Sequence, residues 1–102
     1  MARYVLSDLA DEELRDIISY IRSRSPQAAK QVREELKAAM RKLAEFPGIG
    51  HLREDVTDEP IRFWCVYSYL IAYRPHTKPL EIVRIVHGAR DLGPLFGRKR
   101  PE

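Results

Sequence analysis

The sequence predicts an α+β fold with the order β-α-α-β-β-β, an antiparallel sheet packed against an α-helical hairpin. Three observations predict it. Apolar residues recur at helical spacing through two stretches of the first half. That periodicity stops at Pro47-Gly48. From Ile61 onward β-branched and aromatic residues dominate, as suits pleated, half-buried strands.

Tyr4-Val5-Leu6 is a short strand candidate. Leu14, Ile17, Ile18 and Ile21 follow the i, i+3, i+4, i+7 pattern of a first helix, with Glu12, Glu13, Arg15, Asp16 and Arg22 on its other face. Asp11, Glu12 and Glu13 near its start complement the helix dipole. Ser25 suits an N-cap and Pro26 a first helical position. A second helix then presents Ala29, Val32, Leu36, Ala39, Met40 and Leu43 on one face. So short a joint predicts an antiparallel helical hairpin. Residues 48–60 read as a polar loop. Ile61 to Arg74 is too long for one strand and is expected to turn near Tyr67-Ser68, although neither Gly nor Asn marks a turn there. Pro75-His76-Thr77-Lys78-Pro79 is a second turn, and Leu80 to His87 is the last strand.

A chain of 102 residues suits one domain with one modest core. Residues 1–97 are read as that domain and 98–102 as a basic tail. Apolar content of 44% with 32% charged residues marks a globular chain. The N-terminal residues show no apolar secretory stretch, and no apolar run is long enough to span a membrane. The one cysteine, Cys65, can form neither an intrachain disulfide nor a cysteine metal site, and is read as a buried packing residue. These features predict a cytoplasmic location. No Gly-rich phosphate loop or spaced ligand cluster is present, so neither cofactor nor metal is expected.

The net charge of +3 is unevenly spread. Residues 60–100 hold eight basic and two acidic side chains, a local charge of +6, whereas the remainder holds ten basic and thirteen acidic, −3. The C-terminal portion is therefore expected to attract an anionic partner.

The last strand and its exit carry the candidate site. Side chains alternate faces along a strand, so Leu80, Ile82, Arg84 and Val86 share one face and Glu81, Val83, Ile85 and His87 the other. Arg84 argues that the first set is the wet face, where Arg74 of the neighbouring strand would join it in a basic surface. The alternative is a cross-strand ion pair or a solvated arginine. His87 and Arg90 stand at the strand exit, where a rigid sheet positions loop residues. Gly88 is expected to allow a tight turn there. The alternative is structural, with His87 tying down the loop and Arg90 pairing with Asp91 or a helix carboxylate. His51 and Arg53 form a weaker cluster in the 48–60 loop. Trp64 and Tyr73 are read as core. The target-binding set is thus Arg53, Arg74, Arg84, His87 and Arg90.

Several segments resemble the ParE branch of the RelE/ParE toxin superfamily. They are Tyr4-Val5-Leu6-Ser7 followed by Ala10 and Leu14, then Gln27-Ala28-Ala29, then Leu43-Ala44-Glu45-Phe46-Pro47-Gly48-Ile49-Gly50 with Arg53. Tyr69-Leu70-Ile71-Ala72-Tyr73-Arg74 and the ending His87-Gly88-Ala89-Arg90-Asp91 complete the set. Together they span most of the chain in the family's order. The resemblance implies the toxin of a bacterial toxin–antitoxin pair, with no cofactor. It implies a ParD-like antitoxin whose C-terminal segment wraps the toxin, and DNA gyrase as the target poisoned.

RelE-type relatives imply a second class, a ribosome-dependent mRNA endonuclease. Cleavage through the 2′-OH needs a base, an acid and cations at the phosphate, for which His87, Arg84 and Arg90 are the candidates. Two departures count against it. The second helix mixes Arg33, Glu34, Glu35, Lys37, Arg41 and Lys42 rather than presenting a strongly basic face. Leu92-Gly93-Pro94-Leu95-Phe96-Gly97 lacks the tyrosine found near the C-terminus of several such enzymes.

Overall fold

The computed structural model describes residues 3–89 and 92–96. The chain runs β1 (Tyr4–Leu6), α1 (Asp8–Arg24), α2 (Pro26–Glu45), a 3-10 turn (Pro47–Ile49), β2 (His51–Leu52), β3 (Arg62–Val66), β4 (Tyr69–Arg74), β5 (Leu80–His87) and a single-turn α3 (Leu92–Leu95). The predicted α+β order is the one observed, with β2 and α3 added.

Both long helices begin on a serine. Ser7 Oγ accepts from the Ala10 N–H at 3.0 Å, and Ser25 Oγ accepts from the Ala28 N–H at 3.1 Å. Ser7 also donates to the Val83 carbonyl at 2.9 Å, so the start of α1 is pinned to β5. The second helix follows at Pro26 and lies back on the first as a hairpin.

The strand order is β1-β5-β4-β3-β2. The β2-β3-β4-β5 pairs are antiparallel, but β1 runs parallel to β5, Tyr4 opposite Leu80 and Leu6 opposite Ile82. The helical hairpin carries the chain from β1 to β2 at the opposite edge, and three successive antiparallel pairings from there bring β5 back beside β1 in the same direction.

The expected turn at Tyr67-Ser68 is present, and Val66 faces Tyr69 across it. Tyr67 takes φ 54°, a left-handed value that a turn of this length requires and that Gly or Asn usually supplies.

Both faces of the sheet are apolar, which corrects the expectation of one wet face. On the hairpin side Ala10, Leu36, Met40 and Leu43 meet Ile71, Tyr73, Leu80, Ile82 and Ile85. On the other side Phe63, Leu70, Ala72 and Val86 are roofed by Val56 of the 48–60 loop, by Ile61 just after it and by Leu92, with Leu95 and Phe96 alongside.

The strict alternation expected along β5 fails at a bulge. Tyr73 faces Ile82 while Ala72 faces Arg84, so Val83 has no residue opposite it. The phase slips by one. Leu80 and Ile82 therefore share the hairpin face with Ile85, and Val83 and Val86 pack on the second face.

Tyr73 is fully buried, as expected of a core residue, and its hydroxyl is satisfied twice. It donates to the Pro47 carbonyl at 2.6 Å and accepts from the Gly50 N–H at 2.9 Å. A Cβ on Gly50 would overlap that phenol, so the close approach requires glycine. Burial pushes the Tyr73 phenol above the usual tyrosine value of 10, with the Gly50 N–H and Arg62 opposing the rise. Cys65, expected to be buried, is instead exposed, because it lies near the sheet's edge where the loop no longer covers β3.

Candidate functional site

Arg84 is the most heavily engaged of the predicted site residues among those described. Its Nη2 donates to Glu13 Oε2 at 2.8 Å, and its Nε lies 3.0 and 3.1 Å from the two carboxylate oxygens. The two side chains retain 15% and 14% exposure, so the pair is largely withdrawn from water. Glu13 Oε1 also accepts from the Ile85 N–H at 3.1 Å. β1 ends opposite Ile82, so this edge of β5 has lost its strand partner and the carboxylate takes its place. Arg84 Nη1 reaches the Leu95 carbonyl at 3.3 Å, and its guanidinium carbon lies 5.9 Å from the Phe96 ring centroid. Phe96 in turn meets Phe63 edge-on at 5.2 Å. The expectation that Arg84 marks an exposed basic face is therefore corrected. It ties α1, β5 and the C-terminal segment together.

Arg74 lies at the far end of β4. Its Nε donates to Glu81 on β5 at 3.0 Å, and its Nη2 lies 3.5 Å from Glu59. The cross-strand pair weighed for this arginine is the arrangement found. Arg53 forks onto Asp55 at 2.8 and 3.1 Å. That hydrogen bond raises the Arg53 pKa, with burial opposing it. All three arginines thus carry carboxylate partners, and no bare cationic patch joins them.

His87 is exposed at the end of β5. Its Nδ1 accepts from the Ala89 N–H at 3.1 Å, and its ring meets Tyr69 edge-on at 5.7 Å. It does tie down the strand exit. Gly88 lies in a turn at the strand exit, as expected, but it does not take a left-handed conformation and a Cβ there would meet Ser68 O only at 3.4 Å, so that turn does not require glycine. Arg90, Asp91 and the basic tail lie outside the described residues.

The nuclease set is not brought together. Arg84 stands opposite Ala72 and His87 opposite Tyr69, so odd spacing puts them on opposite faces of the sheet. Three strand residues also separate them by about 10 Å. Arg84 and His87 cannot address one scissile phosphate from there. Among the described residues no group of three His, Cys, Asp or Glu could hold a metal ion.

Unclaimed cations lie elsewhere. A crevice of about 580 Å³ runs between α1, α2 and β1. Its floor is Leu6, Leu14, Ile18 and Met40, and Arg22, Arg33 and Lys37 stand on its rim. Among the described residues none of these three pairs with a carboxylate, whereas Arg15 is held by Asp11 at 2.6 Å. β1 is the outer strand here, and Val5 is 46% exposed.

Sequence reasoning missed Glu13 and this crevice. Glu13 falls three residues after buried Ala10 and four before Ile17, an apolar position of α1. A carboxylate at such a position and an arginine inside an apolar strand were together the available signal for a partly buried pair. The crevice carried none, since its cations come from two helices whose crossing the sequence does not specify.

The family model described as the ParE toxin of the type II toxin–antitoxin system parDE matches residues 4–92. A chain of the chromosomal ParDE system from P. aeruginosa shares the fold, with a TM-score of 0.67 and 19% identity over 85% of this chain and 96% of that one. No curated protein matches the sequence. A match over so much of the chain, on a sheet and helical hairpin of the expected order, places this protein in the ParE toxin family of type II toxin–antitoxin systems.

Proposed function

We propose that this ParE-type toxin inhibits DNA gyrase by binding it as a protein, and that a ParD-like antitoxin neutralises it, both in the cytoplasm. Family membership supports the gyrase reading. The crevice carries the antitoxin reading. An apolar floor rimmed by three cations fits a segment with an apolar stripe and acidic flanks. The open edge of β1 beside it offers backbone groups to an extended piece of the same segment. No helix among the described residues is long and apolar enough to cross a membrane.

On this reading His87, Arg53 and Arg74 contact the target, together with Arg90, which lies outside the described residues. Arg84 acts from behind them, holding the C-terminal segment through Leu95 and Phe96.

The test is a gyrase supercoiling assay with purified toxin, with and without the antitoxin. Loss of supercoiling with accumulation of cleaved DNA, reversed by antitoxin, is the expected result. Unimpaired gyrase in the presence of folded, antitoxin-competent toxin would overturn the target assignment and leave the antitoxin reading standing.

A further inference from the structure

A second feature lies at the opposite edge of the sheet from the crevice. β2 is only two residues long and pairs with Arg62 and Phe63. The next residue of β3, Trp64, is half-buried, and its indole has two unusual neighbours. The His51 imidazole lies nearly parallel to it, at 12° and 6.3 Å between centroids. The Lys42 ammonium, from the last turn of α2, stands 5.4 Å from the indole centroid. His51 and Lys42 are both exposed, and among the described residues Lys42 pairs with no carboxylate. Beside the rings opens a pocket of about 420 Å³ floored by Phe63 and Leu70, with Arg53 and Cys65 at its wall.

We propose that the His51–Trp64 pair with Lys42 is a binding site for an unpaired nucleotide of single-stranded DNA or RNA. Parallel rings at the surface offer a flat π face on which a base continues the stack, and stacking of this kind tolerates any base. Lys42 is the free cation placed to meet the adjoining phosphate. Duplex DNA keeps its bases stacked internally and does not fit. An acidic peptide fits less well, because Lys42 is the one unpaired cation here among the described residues, Arg53 being taken by Asp55, and a carboxylate brings no planar ring to continue the stack. A toxin that acts only by gripping a protein has no need of such a site, so this inference goes beyond the proposed function.

Trp64 is the chain's one tryptophan, so its fluorescence reads the site directly. The full chain is titrated at low salt with oligothymidylate, with oligouridylate, with a duplex, and with an abasic strand of equal length. Saturable quenching by oligothymidylate or oligouridylate, and not by the duplex or the abasic strand, is expected. The stronger of the two quenchers names the natural source as DNA or RNA. His51→Ala and Lys42→Gln, both at exposed positions, should each weaken binding about tenfold. Equal quenching by the abasic strand would reduce the effect to phosphate attraction by the basic tail and overturn the proposal. Indifference to both substitutions would overturn it too. So would quenching by an acidic, apolar peptide with none by either oligonucleotide. Gyrase inhibition is read separately and stands or falls independently.

Discussion

The Glu13 carboxylate on α1 and the Arg84 guanidinium on β5 meet at 2.8 Å with only 14% and 15% of their side chains exposed, and the same carboxylate closes the free edge of β5 at Ile85. Residues 71 positions apart are thereby locked, and through Arg84 so is the C-terminal segment that roofs the second core. Removing either partner strands the other charge where water scarcely reaches it, at a cost of about 3 kcal/mol. Glu13→Gln and Arg84→Gln should each lower Tm by roughly 10 °C or more. In a thermal-melt double-mutant cycle the coupling should exceed about 1 kcal/mol, and simple additivity would show that the pair does not act as a unit.

Gly50 and Tyr73 form the second lock. Gly50→Ala should destabilise by about 1–3 kcal/mol, because its Cβ would overlap the phenol. Gly48 has nothing within 4 Å of such a Cβ, so Gly48→Ala is the control and should be close to neutral. Tyr73→Phe should cost about 1–3 kcal/mol by orphaning the Gly50 N–H and the Pro47 carbonyl. Urea unfolding of the three variants checks the order.

The same phenol gives an alkaline limit. Its folded pKa is raised above the usual value of 10, so the folded state holds its proton more tightly than the unfolded chain. The stabilisation is complete below pH 10 and is lost as pH rises through the folded value. Stability should therefore fall above about pH 10, less steeply in Tyr73→Phe. Melts across that range decide the matter, and an identical slope in the variant would assign the loss to other groups.

The β3–β4 turn holds Tyr67 at φ 54°, and Glu35 accepts from its hydroxyl and raises its pKa. Left-handed backbone costs a residue with a Cβ about 1–2 kcal/mol, and Asn less. Tyr67→Asn should thus raise stability by roughly 0.5–1 kcal/mol in chemical denaturation. A loss instead would mean that the Glu35 contact outweighs the backbone strain.

Antitoxin binding should be sensitive to the crevice rim. Arg33→Glu with Lys37→Glu places two carboxylates where the proposed acidic segment lies, and should weaken association at least about tenfold, mainly at low salt. Calorimetry against the antitoxin at two ionic strengths checks it. Unchanged affinity would move the antitoxin to another face.

Cys65 is exposed in the folded chain. A thiol reagent should modify it without denaturant, on the timescale of a free thiol. Protection until unfolding would restore the buried role first read from its place in an apolar strand.

The element order and the helical hairpin were legible from residue pattern, because 3.6-residue and 2-residue periodicities and the Ser25-Pro26 start are written locally. The sequence marked Tyr73 as core by its apolar strand neighbours, and the turn at Tyr67 only through the length of the Ile61 to Arg74 run. The tertiary structure alone decided the rest. The bulge at Val83 reverses which side chains share a face, and a one-residue slip carries no signature in hydrophobicity. The β1–β5 pair is parallel because the meander from β2 to β5 returns beside β1, a matter of chain path rather than residue type. Whether Arg84 faces water depended on Glu13 arriving 71 residues away in sequence, and whether Cys65 is buried depended on how far a loop reaches across the sheet. A charged side chain reads as exposed until its partner is placed, and only the fold places it.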